Sequence, residues 1–404
     1  MKLNWIYNIV IRLTVLALKL FGVIILAREM ADTEFVTYGI VVSMLTFFIY
    51  LLGLDLYHYY SKEVVRGIEA GAQVRRCFQI YFIGYALFLV VFGFINYFFQ
   101  IIPLEWHFLF CVLVIAEHVN QEIQRLLVLK EHQLLSTFMV LLRHGGWVLV
   151  MLTFYLGGGS VSLSIVMTAM ATLSIIALLI GAKFVDLGEI VLSSKLFDAI
   201  NLKWLVSAAK STWPLLLAAL CFRGVLSVDR VYLEFVNDEN AAVYIFYMLM
   251  AGSLLAVYEA AVYSYIIPRL LRTKHRSEAP LIVNSALGKV IVLGLLALLF
   301  GGWSAEFIVR AIGKENYFSN VLLFYICVTA VIVYSLGQVY YYALYSWDMD
   351  KGILFSNLIG FVAFMIGLLF FYTDVYSVAY SLLMCFLCML IVKAGYYYKC
   401  LYQD

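Results

Sequence analysis

The chain reads as a succession of long apolar runs separated by short polar connections. Runs of about 20 apolar residues match helices that cross a hydrocarbon layer of about 30 Å. The pattern predicts twelve such spans, at 4–27, 36–58, 77–99, 107–129, 134–156, 161–182, 211–235, 242–267, 281–304, 318–345, 352–372 and 375–397. The longest polar connection, 183–210, places Leu192, Leu196, Ile200 and Trp204 four residues apart, which predicts an amphipathic helix lying on a membrane surface. It divides the chain into a six-helix bundle (1–182), an interfacial linker (183–210) and a second six-helix bundle (211–404).

Composition turns this pattern into a class. The chain is 65% hydrophobic and 13% charged, whereas soluble domains are nearer half apolar and a quarter charged. So much apolar surface cannot be hidden inside a globular core. The expected class is an all-α integral membrane protein with no sizeable soluble domain. Arg12 and Lys19 interrupt the first run and no small-residue cleavage site precedes Arg28, so that run is expected to persist as a span rather than as a cleaved leader.

Charge sets the expected orientation. With twelve spans, most connections on the side of the termini are basic, including Arg75, Arg76, Lys130, Lys203, Lys210, Arg269 and Arg272, with Lys393 and Lys399 at the end of the last span, while the opposite side holds only Arg28, Arg310 and Lys314. The positive-inside rule then puts both termini in the cytoplasm. Adding or losing one span would scramble the alternation after it.

The charges inside the spans carry the candidate chemistry. Arg12 and Lys19 in the first run are echoed by Arg223 and Arg230 in the seventh, with the same seven-residue spacing. On a helix that spacing puts each pair on one face. A charge at the bilayer centre costs about 2.5–3.5 kcal/mol on insertion scales, so such a face is expected to look into water or protein. Snorkelling of the long side chains is the competing reading, more accessible to Arg12 and Arg230 near span ends than to Lys19 and Arg223 near mid-span. A second echo joins Glu34-Phe35-Val36-Thr37-Tyr38 to Asn240-Ala241-Ala242-Val243-Tyr244. Copies six spans apart run in the same direction, so they imply a pseudo-twofold along the membrane normal, with a site expected at the interface of the halves.

Other interior charges are Asp55, Glu117, Glu122, Arg125, Arg143, Asp229, Glu259 and Lys289, with His58, His118 and His144. Span four is the most polar: Glu117, Gln121 and Gln124 share one face, and His118, Glu122 and Arg125 repeat the pattern one residue on. Glu122 and Arg125, three residues apart, have a simple pairing as their alternative. Asp229 points away from Arg230, so its partner is expected on another span. Asp55 and Glu259 each lie late in the second span of their half, where a carboxylate can couple transport to H⁺ or Na⁺; neutralisation by a nearby base is the alternative. Arg12, Lys19, Arg223 and Arg230, supported by Arg143 and Lys289, suit an anionic phosphate-type ligand. Cys385 and Cys388 form C-x-x-C in a lipid-grade segment without acidic or histidine neighbours, and are expected to be buried small residues rather than a metal or redox site. No nucleotide or hydrolase motif is present, so neither an enzyme nor a resident cofactor or metal is expected.

Four stretches carry a resemblance: the Ala27-Arg28 exit of span one, the Phe35-x-x-Tyr38-Gly39 entry to span two, Gly53-Leu54-Asp55 at its end, and Asp229-Arg230 in span seven. With twelve spans, the chain resembles the polysaccharide transporters of the multidrug/oligosaccharidyl-lipid/polysaccharide (MOP) exporter superfamily, nearest to its O-antigen flippase (Wzx-type) group. The resemblance implies a pair of six-helix bundles that alternate access and move an undecaprenyl-pyrophosphate-linked oligosaccharide across the bacterial inner membrane. It also implies a monomer that meets membrane lipid and other polysaccharide assembly proteins, but no nucleic acid. Glu29-Met30-Ala31-Asp32 departs from the glycine-and-proline turn usual in that group. A small-molecule exporter on the same fold and a membrane glycan polymerase or ligase are the alternatives. The first predicts an acidic interior, and the second a long loop of catalytic groups, where 305–317 holds only Glu306, Arg310, Lys314 and Glu315 as charges.

Overall fold

The computed structural model describes residues 2–65, 70–130, 132–185, 201–236, 239–273, 276–370 and 374–402. Among them all regular structure is helical. Twelve long helices follow one another: α1 (Lys2–Glu29), α2 (Asp32–Gly53), α3 (Ala70–Phe99), α4 (Leu104–Leu129), α5 (Gln133–Leu156), α6 (Leu163–Phe184), α7 (Leu202–Phe235), α8 (Ala241–Arg272), α9 (Ala279–Ile312), α10 (Val321–Ser346), α11 (Asp350–Phe370) and α12 (Val375–Leu401). Eleven contain segments long and apolar enough to cross a membrane. The twelfth, α4, is as long but carries Glu117, Glu122 and Arg125 near its middle and end. The chain is a multi-pass membrane protein of the expected all-α class.

Several boundaries differ from the sequence reading, each for a local reason. The second span does not run to 58. Its helix stops at Gly53, Leu54 and Asp55 take positive φ of 47° and 54°, and a short helix, Leu56–Val65, restarts the chain. Two successive left-handed residues without glycine are costly, and the turn is closed by the His58 amide on the Asp55 carbonyl at 3.1 Å. The seventh span starts at Leu202 rather than 211, because Trp204 is held in the protein instead of on a surface. Its indole N–H donates to Gln73 Oε1 at 2.8 Å and its ring meets Tyr59 edge-on at 5.6 Å. The rest of the expected interfacial helix, 186–200, lies outside the described residues. The ninth span continues to Ile312, turning most of the expected 305–317 loop into helix until Gly313 ends it in the left-handed conformation.

Two spans contain π-helical turns that periodicity did not reveal: Leu141–Gly145 within α5 and Glu259–Tyr263 within α8. Such turns insert one residue into the helix and re-aim the side chains beyond it. Both carry charged candidates, Arg143 and Glu259.

By packing, the chain forms two units, Met1–Lys19 with Ile40–Leu216, and Leu20–Gly39 with Leu217–Asp404. In the first, Phe48, Phe88, Phe92 and Phe110 build an aromatic core, Phe48 standing 4.8 Å from both Phe88 and Phe92. Asn120 on α4 donates to the Ser174 carbonyl of α6 at 2.7 Å. In the second, buried tyrosines use their apolar rings for packing and their hydroxyls for backbone carbonyls. Tyr247 donates to Tyr317 O at 2.6 Å, and Tyr263 to Ser335 O at 2.8 Å. The α1–α2 turn belongs to this unit, where Lys314 Nζ binds Asp32 Oδ1 at 2.7 Å and donates to Met30 O at 3.1 Å.

Candidate functional site

The first unit gathers its charges around α4. Glu117, buried at 3% exposure, receives both Nε and Nη2 of Arg143 from α5, the Nε bond being 3.1 Å, and the Ser174 hydroxyl of α6 donates to the same carboxylate. Three helices therefore meet on one carboxylate in a fork geometry that only arginine provides. The π turn of α5 presents Arg143 there, and Gly145 in that turn lets α1 approach closely: a Cβ would stand 3.0 Å from Leu18 Cδ1. The neighbouring residue, Lys19, lies on the exposed side of α1, within electrostatic range of Glu117 and Arg143. Arg143 and Glu117 neutralise one another, so Lys19 leaves the cluster net positive. Arg12, about two helical turns earlier, is also exposed.

Farther along α4 the polar stripe is filled by partners from its own unit. Arg125 Nη1 pairs with Glu122 Oε1 at 2.5 Å, Tyr60 donates to Glu122 Oε2 at 3.2 Å, and the Arg125 guanidinium stands 4.7 Å from the Tyr57 ring. The simple pairing is thus realised for Glu122 and Arg125. His118 Nδ1 meets the Tyr85 hydroxyl at 2.7 Å. Asp55, in its left-handed turn, sits 3.4 Å from His58 Nε2.

In the second unit, Asp229 and Arg230 are both buried. Asp229 accepts the Arg230 amide at 2.7 Å and the Tyr244 hydroxyl of α8 at 2.8 Å, so its side-chain partner is indeed on another span. Arg230 Nη1 donates to the Gly39 carbonyl of α2 at 2.8 Å. It neither snorkels nor matches the exposed setting of Lys19, its repeat counterpart. Arg223 is half-buried, with its guanidinium 5.3 Å from the Phe222 ring. Lys289 is exposed and lines a groove of about 490 Å³ with Ala261, Ser285 and Gly288. Glu259 is exposed on its π turn.

The twelve sequence-derived candidates thus separate by environment. Arg143, Arg230, Glu117, Glu122, Arg125, Asp229 and Asp55 have partners inside the protein, and Arg223 is half-buried. Arg12, Lys19, Lys289 and Glu259 are exposed. Sequence reading missed Lys393, assigned to a basic end of the last span. It lies within α12 at 1% exposure, 5.8 Å from the Tyr341 ring. Its place four residues inside the expected span end was the available signal. All seven cysteines are unpaired thiols, and among the described residues no group of His, Cys, Asp and Glu has the arrangement of a metal site.

The chain is thus an all-helical polytopic membrane protein with paired charges buried inside its spans. No family model matches the chain, and no curated protein matches it. Among solved structures, it is similar to a multidrug resistance MATE family transporter of the MOP superfamily in an inward-facing conformation, at 12% identity, over 98% of each chain and with a TM-score of 0.66. It is also similar to a MATE in complex with MaL6, at 12% identity, over 98% of this chain and 96% of that one, with a TM-score of 0.57. The fold is that of MATE transporters, the MOP-superfamily fold expected from the sequence.

Proposed function

We propose that the chain is a flippase that moves undecaprenyl-pyrophosphate-linked oligosaccharide across the bacterial inner membrane by alternating access, with both termini cytoplasmic. The observation that carries this reading is the sign of the exposed charge among the candidate residues within each span, where Arg12, Lys19 and Lys289 outnumber Glu259. The buried carboxylates Glu117, Glu122 and Asp229 are already satisfied within the protein, whereas Lys19 and Arg12 are exposed and Arg223 and Lys289 stand on spans of the second unit. The surplus is cationic and suits a pyrophosphate head, which arginine and lysine bind by charge-assisted hydrogen bonds. Arg143 and Arg230 serve as frame, fixing α5 on α4 and α7 on α2. Asp55 beside His58, and Glu259, are the groups available for H⁺ or Na⁺ coupling.

Complementation tests this reading. In a strain lacking its own O-antigen flippase, the intact chain is expected to restore surface polysaccharide, and Lys19→Ala and Arg223→Ala are expected to lower it by about tenfold or more at equal protein levels, the scale of one lost charge-assisted bond. Full activity in both variants would remove these residues from the site.

The second reading, a small-molecule exporter, draws on the multidrug resistance name of a fold neighbour. The same strains distinguish it, since an exporter would lower accumulation of a cationic dye and leave surface glycan unrestored.

A further inference from the structure

The first unit holds a groove apart from its charged cluster, at the end of the spans where α1 and α5 begin and α4 and α6 finish. Tyr7 and Ile11 of α1 form one wall, Leu134 and Phe138 of α5 form another, and Phe184 closes it from the end of α6. Each of the two pairs is spaced i, i+4 and so stands on one helix face. The groove encloses about 550 Å³, and none of the described residues that line it is a carboxylate. Its walls are open: Tyr7, Phe138 and Phe184 are 50%, 45% and 50% exposed. Tyr7 stands just before the apolar part of α1, which begins at Val10, and this is the level at which aromatic side chains meet headgroups. Phe138 lies six residues beyond His132, about 9 Å deeper along α5. The groove therefore runs from headgroup level into the hydrocarbon.

Its shallow end is cationic. His132 lines it, Lys130 follows the last turn of α4, and Lys183 lies in the last turn of α6 beside Phe184. Both lysines are exposed. The Lys130 ammonium donates to the Val185 carbonyl at 3.4 Å, which fixes it next to the segment that carries Phe184. An ammonium has three donors, so this bond does not exhaust it. An apolar channel that ends in two cations at headgroup level is complementary to a lipid with an anionic head, and basic pockets between spans are where such heads are recognised. A second copy of the chain docked here about a twofold axis would bring the same lysines face to face, which disfavours it.

We propose that this groove is a binding site for an anionic phospholipid of the surrounding leaflet, with an acyl chain laid along Tyr7, Ile11, Leu134 and Phe138 and the phosphate held by Lys130 and Lys183. The lipid ties the start of α1 to α5 and α6. It is a resident of the flank of the first unit rather than cargo, so the site stands whatever the chain transports.

The test uses the full chain in detergent micelles, with bound lipid counted by native mass spectrometry during titration with dioleoyl phosphatidylglycerol, dioleoyl phosphatidylcholine and a long-chain isoprenyl phosphate. The parent is expected to bind one phosphatidylglycerol about tenfold more tightly than phosphatidylcholine, the scale set by basic residues at a membrane surface. The double variant Lys130→Gln with Lys183→Gln is expected to lose that preference while keeping its phosphatidylcholine affinity, and Lys130→Arg with Lys183→Arg to retain it. Phe138→Ala with Phe184→Ala is expected to weaken both phospholipids. Arg269→Gln with Arg272→Gln, at the basic end of α8, is expected to leave the preference intact, which separates this site from general attraction to basic surface. A Gln pair that also loses phosphatidylcholine has a fold defect, and the Arg and Phe pairs then decide: preference kept in the first and binding weakened in the second support the site, and any other result overturns it. Equal binding of the two phospholipids by the parent, an unchanged preference in a folded Gln pair, or an equal loss in the Arg269 and Arg272 pair overturns the proposal. So does displacement of phosphatidylglycerol by the isoprenyl phosphate at lower concentration, which would make the groove a carrier-lipid site, or a dimer in place of bound lipid.

Discussion

Replacing Glu117 by alanine is expected to be the most damaging single change in the first unit. The carboxylate takes two bonds from Arg143 and one from Ser174, and both partners of the ion pair are 4% exposed in their side chains. Removing one member of a buried pair leaves the other charged, desolvated and alone, which typically costs about 3–5 kcal/mol. The loss should appear as a lower thermal unfolding midpoint in detergent and less protein in the membrane. A companion double variant, Glu117→Leu with Arg143→Met, removes both charges at similar volume and is expected to recover most of that stability, because the desolvation cost disappears with the attraction. Ser174→Ala should cost only about 1 kcal/mol, the scale of one hydrogen bond. An unchanged midpoint in Glu117→Ala would mean that Arg143 reaches water, and that α4, α5 and α6 are held by apolar packing.

Gly39→Val carries the second large effect, in the other unit. Gly39 on α2 lies so close to α8 that a Cβ would stand 2.5 Å from Ile245 Cγ2. Its carbonyl is also the acceptor for the buried Arg230 guanidinium. A branched side chain must push α2 away from α8 and drag the carbonyl with it, so overpacking and a strained charge-assisted bond act together. Their typical sizes give a destabilisation of about 2–5 kcal/mol. Thermal unfolding measures it, and Ile245→Ala in the same chain is expected to restore part of the loss by vacating the space. If Ile245→Ala gives no relief, the clash is taken up elsewhere and the close α2–α8 approach is not what limits this site.

The sequence made the helices legible because each span must satisfy its backbone hydrogen bonds internally and present apolar side chains to lipid. Runs long enough to cross a bilayer therefore show in composition alone, and even α4, the most polar helix, was found by its length and by the charge alternation around it. The paired spacing of Arg12 with Lys19 and Arg223 with Arg230 suggested a repeat, yet Lys19 is exposed and Arg230 is buried. What did not show were local departures from helical geometry. The stop at Gly53 and the π turns around Arg143 and Glu259 depend on what packs against them, and that information lies elsewhere in the chain. The start of α7 was misplaced for the same reason: Trp204 looks like an interfacial anchor until Gln73 offers its indole a buried acceptor.

The chain by itself thus determined the class of the protein, its twelve helices and the residues too polar for lipid, since burial of charge in hydrocarbon is costly wherever it occurs. Only the tertiary structure decided which of those charges are frame and which are exposed. Arg143 and Lys19 are equally anomalous in a list of spans, yet one is closed on Glu117 and the other remains accessible. Lys393 looked like a basic helix end and proved to be buried beside Tyr341. The physical reason is that cost is a property of one residue and its solvent, whereas pairing is a property of two residues that the fold must bring together.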